Sequence, residues 1–210
     1  MRTRVKICGF TQVDDALEAA YLGVDAIGLV FYPPSPRNVS IETAAKIAKA
    51  LPAFVSVVAL FVNAEPAFIE QVLKQVPIDC LQFHGEEQPD ECRLYNKPYI
   101  KAIRMKPETD VSELEHSFYD ASALLLDAYH PNIQGGSGSG FDWELIPQNC
   151  QLPIILAGGL AADNAAQAIR QVKPYALDVS SGVEAGKGVK DAAKMAAFIR
   201  ITNQATENYD

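Results

Sequence analysis

Histidine is scarce in this chain (three residues) and tryptophan occurs once. The four cysteines, Cys8, Cys80, Cys92 and Cys150, form no CxxC pair and stand at no metal-ligand spacing from the histidines. These absences argue against a bound metal and a disulfide framework, and suit free thiols in a reduced, cytoplasmic protein. Cations are also short: 18 Lys and Arg against 26 Asp and Glu leave a formal net charge of -8. Nucleic acid and an anionic membrane are poor partners for that balance. An anionic ligand would have to be held by local donors against the overall field. No apolar run approaches the ~20 residues of a membrane span. The first strand starts so near the N-terminus that no presequence is expected. No GxGxxG follows that strand, so the usual dinucleotide fingerprint is missing too.

What the chain does have is alternation. With 49% hydrophobic and 21% charged residues, it reads as one soluble globular domain over residues 1–210. Val5-Lys6-Ile7-Cys8-Gly9-Phe10-Thr11 is a short strand entering a glycine turn, with a thiol where the strand ends. Thr11 then caps a helix with Asp14 and Asp15 in its first turn and Ala16, Leu17, Ala20 and Tyr21 on its apolar face; Gly23 closes it. The run 26–31 has the continuous apolarity of a strand covered on both faces. The loop Tyr32-Pro33-Pro34-Ser35-Pro36-Arg37-Asn38, stiffened by three prolines, presents a single cation. Ser40 caps the next helix, through Leu51.

Further strands are expected at 56–62, 80–84, 99–104, 123–127, 153–157 and 176–180. Helices are expected at 66–76, 89–95, 110–118, 162–172 and 190–203. A loop rich in glycine and serine follows residue 127, and Phe141-Asp142-Trp143 opens a short helical turn. The polar tail Thr206-Glu207-Asn208-Tyr209-Asp210 is expected to fray. Eight strand–helix units with no linker between them predict an α/β protein, a single-domain (β/α)8 TIM barrel. A doubly wound open sheet is the alternative, weakened by the missing fingerprint.

In such a barrel the C-terminal strand ends and the loops after them face one cavity. Those positions hold Cys8, Arg37, His84, Arg104, Asp127, Gly158-Gly159 and Ser180-Ser181-Gly182. The last two sets follow strands seven and eight. Small residues there let backbone N–H groups and a helix N-terminus close on a phosphate, although two chain-reversing turns would look alike. Asp127 ends an apolar strand, where partial burial would raise its pKa and suit a proton donor; a loop cap is the plainer reading. Cys8 is a reactive rim thiol or a small buried apolar residue. Arg37 suits a carboxylate, or is a solvated loop arginine. His84 is a polar group of the site or a structural histidine. Lys6 and Asp178 lie on strands that become neighbours when a barrel closes, both two residues below the rim. They are expected to form a buried, structural ion pair.

At this point the residues match a family. Lys6-Ile7-Cys8-Gly9, Phe31-Tyr32-Pro33-Pro34-Ser35-Pro36-Arg37, Leu81-Gln82-Phe83-His84-Gly85 and Gly135-Gly136-Ser137-Gly138 with Phe141-Asp142-Trp143 stand in order. Leu156-Ala157-Gly158-Gly159-Leu160 and Asp178-Val179-Ser180-Ser181-Gly182-Val183-Glu184 complete the set. Along essentially its whole length the chain resembles the phosphoribosylanthranilate isomerases of tryptophan biosynthesis. The resemblance implies an intramolecular oxidoreductase that converts N-(5-phosphoribosyl)anthranilate to 1-(2-carboxyphenylamino)-1-deoxyribulose 5-phosphate. It also implies Cys8 as general base and Asp127 as general acid. Arg37, His84, Gly158, Gly159, Ser180, Ser181 and Gly182 would bind substrate, with Arg37 on the anthranilate carboxylate and phosphate on the backbone near Gly159 and Ser181. One departure is Gly138-Ser139-Gly140, where relatives often place a larger polar or basic residue.

In the implied Amadori rearrangement an acid protonates the ring oxygen and the ring opens to an iminium. A base then removes the C2′ proton, and the enolamine relaxes to the ketone. The substrate's own nitrogen is the electron sink, so the resemblance implies no cofactor and no metal. Cys8 and Asp127 can serve only if the site moves their pKa values toward neutrality, down for the thiol and up for the carboxyl. The expected partner is a small phosphosugar, with the chain a monomer or homodimer. Rival readings are a pentose-phosphate epimerase, which would carry rim metal ligands, and a histidine-pathway isomerase, which would carry Asp where Cys8 stands. A non-catalytic phosphate-binding barrel is the third.

Overall fold

Parallel strands covered on both faces need apolar residues at nearly every position, and the runs noted above supply them. β1 (Arg4–Cys8), β2 (Ala26–Val30), β3 (Ser56–Phe61), β4 (Cys80–Phe83), β5 (Tyr99–Arg104), β6 (Ala123–Asp127), β7 (Ile154–Ala157) and β8 (Ala176–Val179) pair in that order. β8 pairs back with β1 in parallel, and the barrel is closed. The computed structural model describes residues 2–127, 143–147 and 149–207. Outside them lie the glycine-rich stretch 135–140, residues 141 and 142 of the short helical turn, and the tail residues 208–210.

The helices are α1 (Val13–Tyr21), α2 (Ile41–Ala50), α3 (Pro66–Gln75), α4 (Pro89–Cys92), α5 (Val111–Ser117), α6 (Ala165–Val172) and α7 (Ala192–Glu207). Among the described residues β6 is followed by a 3₁₀ turn, Trp143–Leu145, rather than by an α-helix. Two apolar shells result from the period-2 alternation of the strands. Ile7, Ile27, Leu29, Phe61, Leu81 and Leu124 point outward, fully buried beneath the helices. Each contributes about 1.5–3 kcal/mol over leaving it exposed. Val58, Ile100, Ala102, Leu125, Ile155 and Ala157 fill the barrel interior.

Three local expectations are corrected. Thr11 does not cap α1; Gln12 occupies that position without a side-chain bond, and Thr11 Oγ1 donates instead to the Gly188 carbonyl at 2.6 Å. A long-range partner has displaced a local one. The closing helix does not begin at Lys190, because Glu184–Gly186 (β9) and Val189–Lys190 (β10) form an antiparallel hairpin before it. Nor does Thr206 fray: it is buried, its hydroxyl donates to the Thr202 carbonyl and accepts from Thr3 N–H, so the last turn of α7 is tied to the start of β1.

Candidate active site

The C-terminal rim of the barrel opens into a cavity of about 410 Å³. Its lining includes Cys8, Arg37, His84, Asp127, Gly158, Gly159, Ser180 and Ser181, so the strand-end positions singled out from sequence converge. Gly182 is not among the lining residues but lets the two glycine loops meet. A Cβ on it would stand 2.0 Å from the Leu160 carbonyl oxygen. Gly158 and Gly159 take φ +85° and +64°, a left-handed turn that other residues rarely adopt.

Cys8 sits at the end of β1 against an apolar wall of Val30 and Leu60. Gly28 of β2 is its register partner, and the missing side chain there makes the room that the thiol occupies. Beneath it Lys6 Nζ donates to Asp178 Oδ1 at 2.9 Å, the buried pair expected from strand adjacency. The Lys6 ammonium also acts on the thiol, drawing it toward its anion. Burial would lower the Lys6 ammonium, but Asp178 and Cys8 leave it above its ordinary value, firmly charged.

The expectation that the site lowers the Cys8 pKa is not met. Burial pushes the thiol up, and Asp178 adds to this. Lys6 and Lys190 pull the other way without overcoming it. The apolar wall outweighs the two ammonium groups.

Arg37 is not a solvated loop arginine. Its stem runs over Gly9, where a Cβ would come within 2.5 Å of Arg37 Cδ. Its Nε and Nη2 both donate to Glu184, at 2.7 Å each. That fork raises the guanidinium above its ordinary pKa and fixes its plane. Glu184 is shared with Lys190, whose Nζ lies 3.0 Å from Oε1 and also donates to the carbonyls of Cys8 and Ser180. Burial would raise the Glu184 carboxyl, but these two cations hold it below the ordinary range. Burial lowers Lys190 in spite of Glu184. Ser180 Oγ donates to the same Cys8 carbonyl at 2.9 Å.

Asp127 lies across the cavity at the end of β6, partly buried, with His84 Nε2 3.1 Å from its Oδ2. Arg104 stands beside it on β5, in register. His84 therefore belongs to the cavity, one residue beyond β4, and its Nδ1 meets Gln82 Nε2 at 3.0 Å.

A thiol and a carboxyl on opposite walls can serve two proton transfers on one ligand. A clamped arginine and two glycine loops between them offer two anion anchors. A protein-family model described as "N-(5'phosphoribosyl)anthranilate (PRA) isomerase" matches residues 5–201. The chain belongs to that family. It is 60% identical over 200 residues to the N-(5'-phosphoribosyl)anthranilate isomerase of Nitrosococcus oceani, covering 95% of this chain and 97% of the relative. The phosphoribosyl anthranilate isomerase of Thermotoga maritima superposes with a TM-score of 0.89 at 40% identity, over 96% of this chain and 99% of that one. That relative is described as dimeric. A solved isomerase in complex with reduced 1-(o-carboxyphenylamino)-1-deoxyribulose 5-phosphate superposes with a TM-score of 0.85 at 39% identity, over 96% and 99%.

Four residues around the site escape a reading by strand ends: Gly28, Gln82, Glu184 and Lys190. Gln82 and Glu184 stand inside quoted motifs, which was their only signal. Gly28 sits unmarked inside an apolar run, and Lys190 looks like the start of a helix.

Proposed function

We propose that this chain converts N-(5'-phosphoribosyl)anthranilate to 1-(2-carboxyphenylamino)-1-deoxyribulose 5-phosphate, with Asp127 as the acid and Cys8 as the base. The observation that carries this reading is the facing of Cys8 and Asp127 across one cavity that Arg37 and the two glycine loops also line. The substrate phosphate rests on the backbone of Gly159 and Ser181, beside the turn Ser181–Val183. The anthranilate carboxylate meets the face of the Arg37 guanidinium that Glu184 leaves open.

Asp127 gives its proton to the ring oxygen, the C1′–O bond breaks, and the nitrogen lone pair forms the iminium. Cys8 takes the C2′ proton, and that electron pair flows to the nitrogen as the enolamine. The iminium places a third positive charge near a thiol that Lys6 and Lys190 already draw toward its anion. The thiolate is thus favoured in the step that uses it, even though burial by itself favours the thiol. Each turnover leaves Cys8 protonated and Asp127 ionised, so one proton returns from thiol to carboxylate through solvent.

The same reading holds the chain to be a single barrel domain acting on a small phosphosugar, as a monomer or homodimer. It places the chain in the cytoplasm, where its four free thiols suit a reducing compartment. Cys8→Ser keeps the shape but not an accessible anion, and Asp127→Asn has no proton to give. Each should lower turnover by about 10²–10⁴ while product-analogue binding survives. The double variant should lose less than the product of the two factors. Near-normal turnover in either single variant would remove that residue from its role.

A further inference from the structure

Gln82 is fully buried on β4, and its amide points its nitrogen at His84 Nδ1, 3.0 Å away. Its other amide atom, Oε1, is buried without a hydrogen-bond partner. An amide nitrogen only donates, so this orientation makes Nδ1 the acceptor. The imidazole hydrogen is then on Nε2, which donates to Asp127 Oδ2. That state suits an ionised Asp127, the form left after a proton has been given away. It also leaves a buried carbonyl oxygen unpaired, which is costly.

Turning the amide through 180° exchanges two atoms of nearly equal size. Oε1 then accepts from Nδ1–H. Nε2 carries no hydrogen and becomes an acceptor for Asp127, which can meet it only as the protonated acid. The oxygen and the neutral carboxyl are paired by the same change, while the amide nitrogen takes the oxygen's unpartnered place. Each orientation thus leaves one amide atom unpaired, and the proton on Asp127 decides between them.

We propose that Gln82 is a positioning residue for the acid: its amide holds His84 as the Nδ1–H tautomer, and His84 thereby holds the proton on Asp127 until the sugar ring takes it. This rests on the reading of Asp127 as the acid. When the proton leaves, solvent takes the Nδ1 proton and returns one to Nε2, the amide turns back, and the arrangement seen here results. The proton returning through solvent to Asp127 reverses both changes, so no proton is lost from the count. Among the described residues, the other ionisable groups facing the pair are Arg104 beside Asp127, and Cys8, Arg37 and Asp178 across the cavity. A change at Gln82 alters none of them.

The test is the tautomer and the pH profile together. In ¹⁵N-histidine-labelled protein, with the His84 signal assigned by its loss in His84→Gln, the hydrogen should reside on Nδ1 at pH values below the alkaline limb of kcat/KM. Gln82→Leu keeps the volume and removes the acceptor. It should move the hydrogen to Nε2 and shift the alkaline limb down by about one pH unit, with kcat at pH 8 falling about tenfold and KM nearly unchanged. Gln82→Glu, which can only accept, should restore the Nδ1–H signal. A wild-type signal on Nε2 throughout would overturn the proposal without need of any variant. So would an unmoved limb in Gln82→Leu. Asp127→Asn, assayed alongside, separates the two readings. Full turnover there would sink the acid assignment itself, whereas lost turnover with an unmoved Gln82→Leu limb would sink only the role of Gln82.

Discussion

Gly28→Ala probes the seating of Cys8 without touching the thiol. The added methyl carbon would stand 2.6 Å from Cys8 Sγ, and 3.0 Å from both Cys8 Cα and Lys6 Nζ. Heavy atoms in comfortable contact stand about 3.5–4.0 Å apart, so the thiol must retreat by about 1 Å. Two effects compete in stability. Gly28 lies in a strand and does not take a left-handed φ, so alanine restricts the unfolded chain and should stabilise by about 0.4–1 kcal/mol. Overpacking costs about 1–3 kcal/mol, so the net loss should fall at about 0–2.5 kcal/mol, which a domain of this size survives. Activity is less forgiving, because a misplacement of about 1 Å at a reacting group costs about 10²-fold. Urea unfolding should therefore show a folded protein, and turnover, followed by loss of substrate fluorescence, should fall about a hundredfold. Affinity for a product analogue should barely move, since Arg37 and the glycine loops are untouched. Turnover close to the parent's, with normal stability, would refute the idea that Gly28 makes the room Cys8 needs.

Three further outcomes can be checked. Arg37→Ala should weaken substrate capture by about 2–5 kcal/mol, and an analogue lacking the carboxylate should lose little more; equal losses for both would place Arg37 on some other group. A crystal grown with sulfate or phosphate should hold the anion on backbone N–H groups between Gly158-Gly159 and Ser180-Ser181-Gly182, and an anion on rim lysines or arginines instead would overturn that placement. Because the Glu184 carboxyl is held below its ordinary 4.5 in the folded protein, its contribution to stability is complete above pH 4.5 and is lost as pH falls through the lower, folded value. The stability gap between the parent and Glu184→Gln in urea should shrink over that range, and a constant gap from pH 6 to 3 would contradict the role given to the two cations.

The barrel was legible because each strand is an apolar run closed by a turn signal, and β1 through β8 fall within a residue or two of those runs. Cys8, Asp127, Arg37 and the glycine loops were legible because strand ends in such a barrel face one place. The hairpin of β9 and β10 was not. Glu184-Ala185-Gly186 and Val189-Lys190 are too short and too polar to show a period, and their pairing is decided by contacts with Arg37, Cys8 and Asp15, all far away in sequence. Thr11 carried a helix-cap signal that the Gly188 carbonyl outbid. The direction of the Cys8 shift was out of reach for another reason. Burial and two ammonium groups oppose one another there, and only their distances decide the sign.

The clip formed by Arg37, Glu184 and Lys190 has a consequence for the order in which the protein can be made. Lys6 meets Asp178 across 172 positions and the Cys8 carbonyl meets Lys190 across 182. A ribosome must therefore have passed residue 190 before the thiol's surroundings can exist. Until residue 190 has emerged, a nascent chain carries Cys8 as an ordinary cysteine, with neither the ion pair beneath it nor the ammonium behind it. Contacts of such long span also slow the final closure of the barrel. The chemistry of this enzyme thus switches on only after residue 190 has been made, when β8 pairs with β1 and the hairpin that follows brings Lys190 to the Cys8 carbonyl.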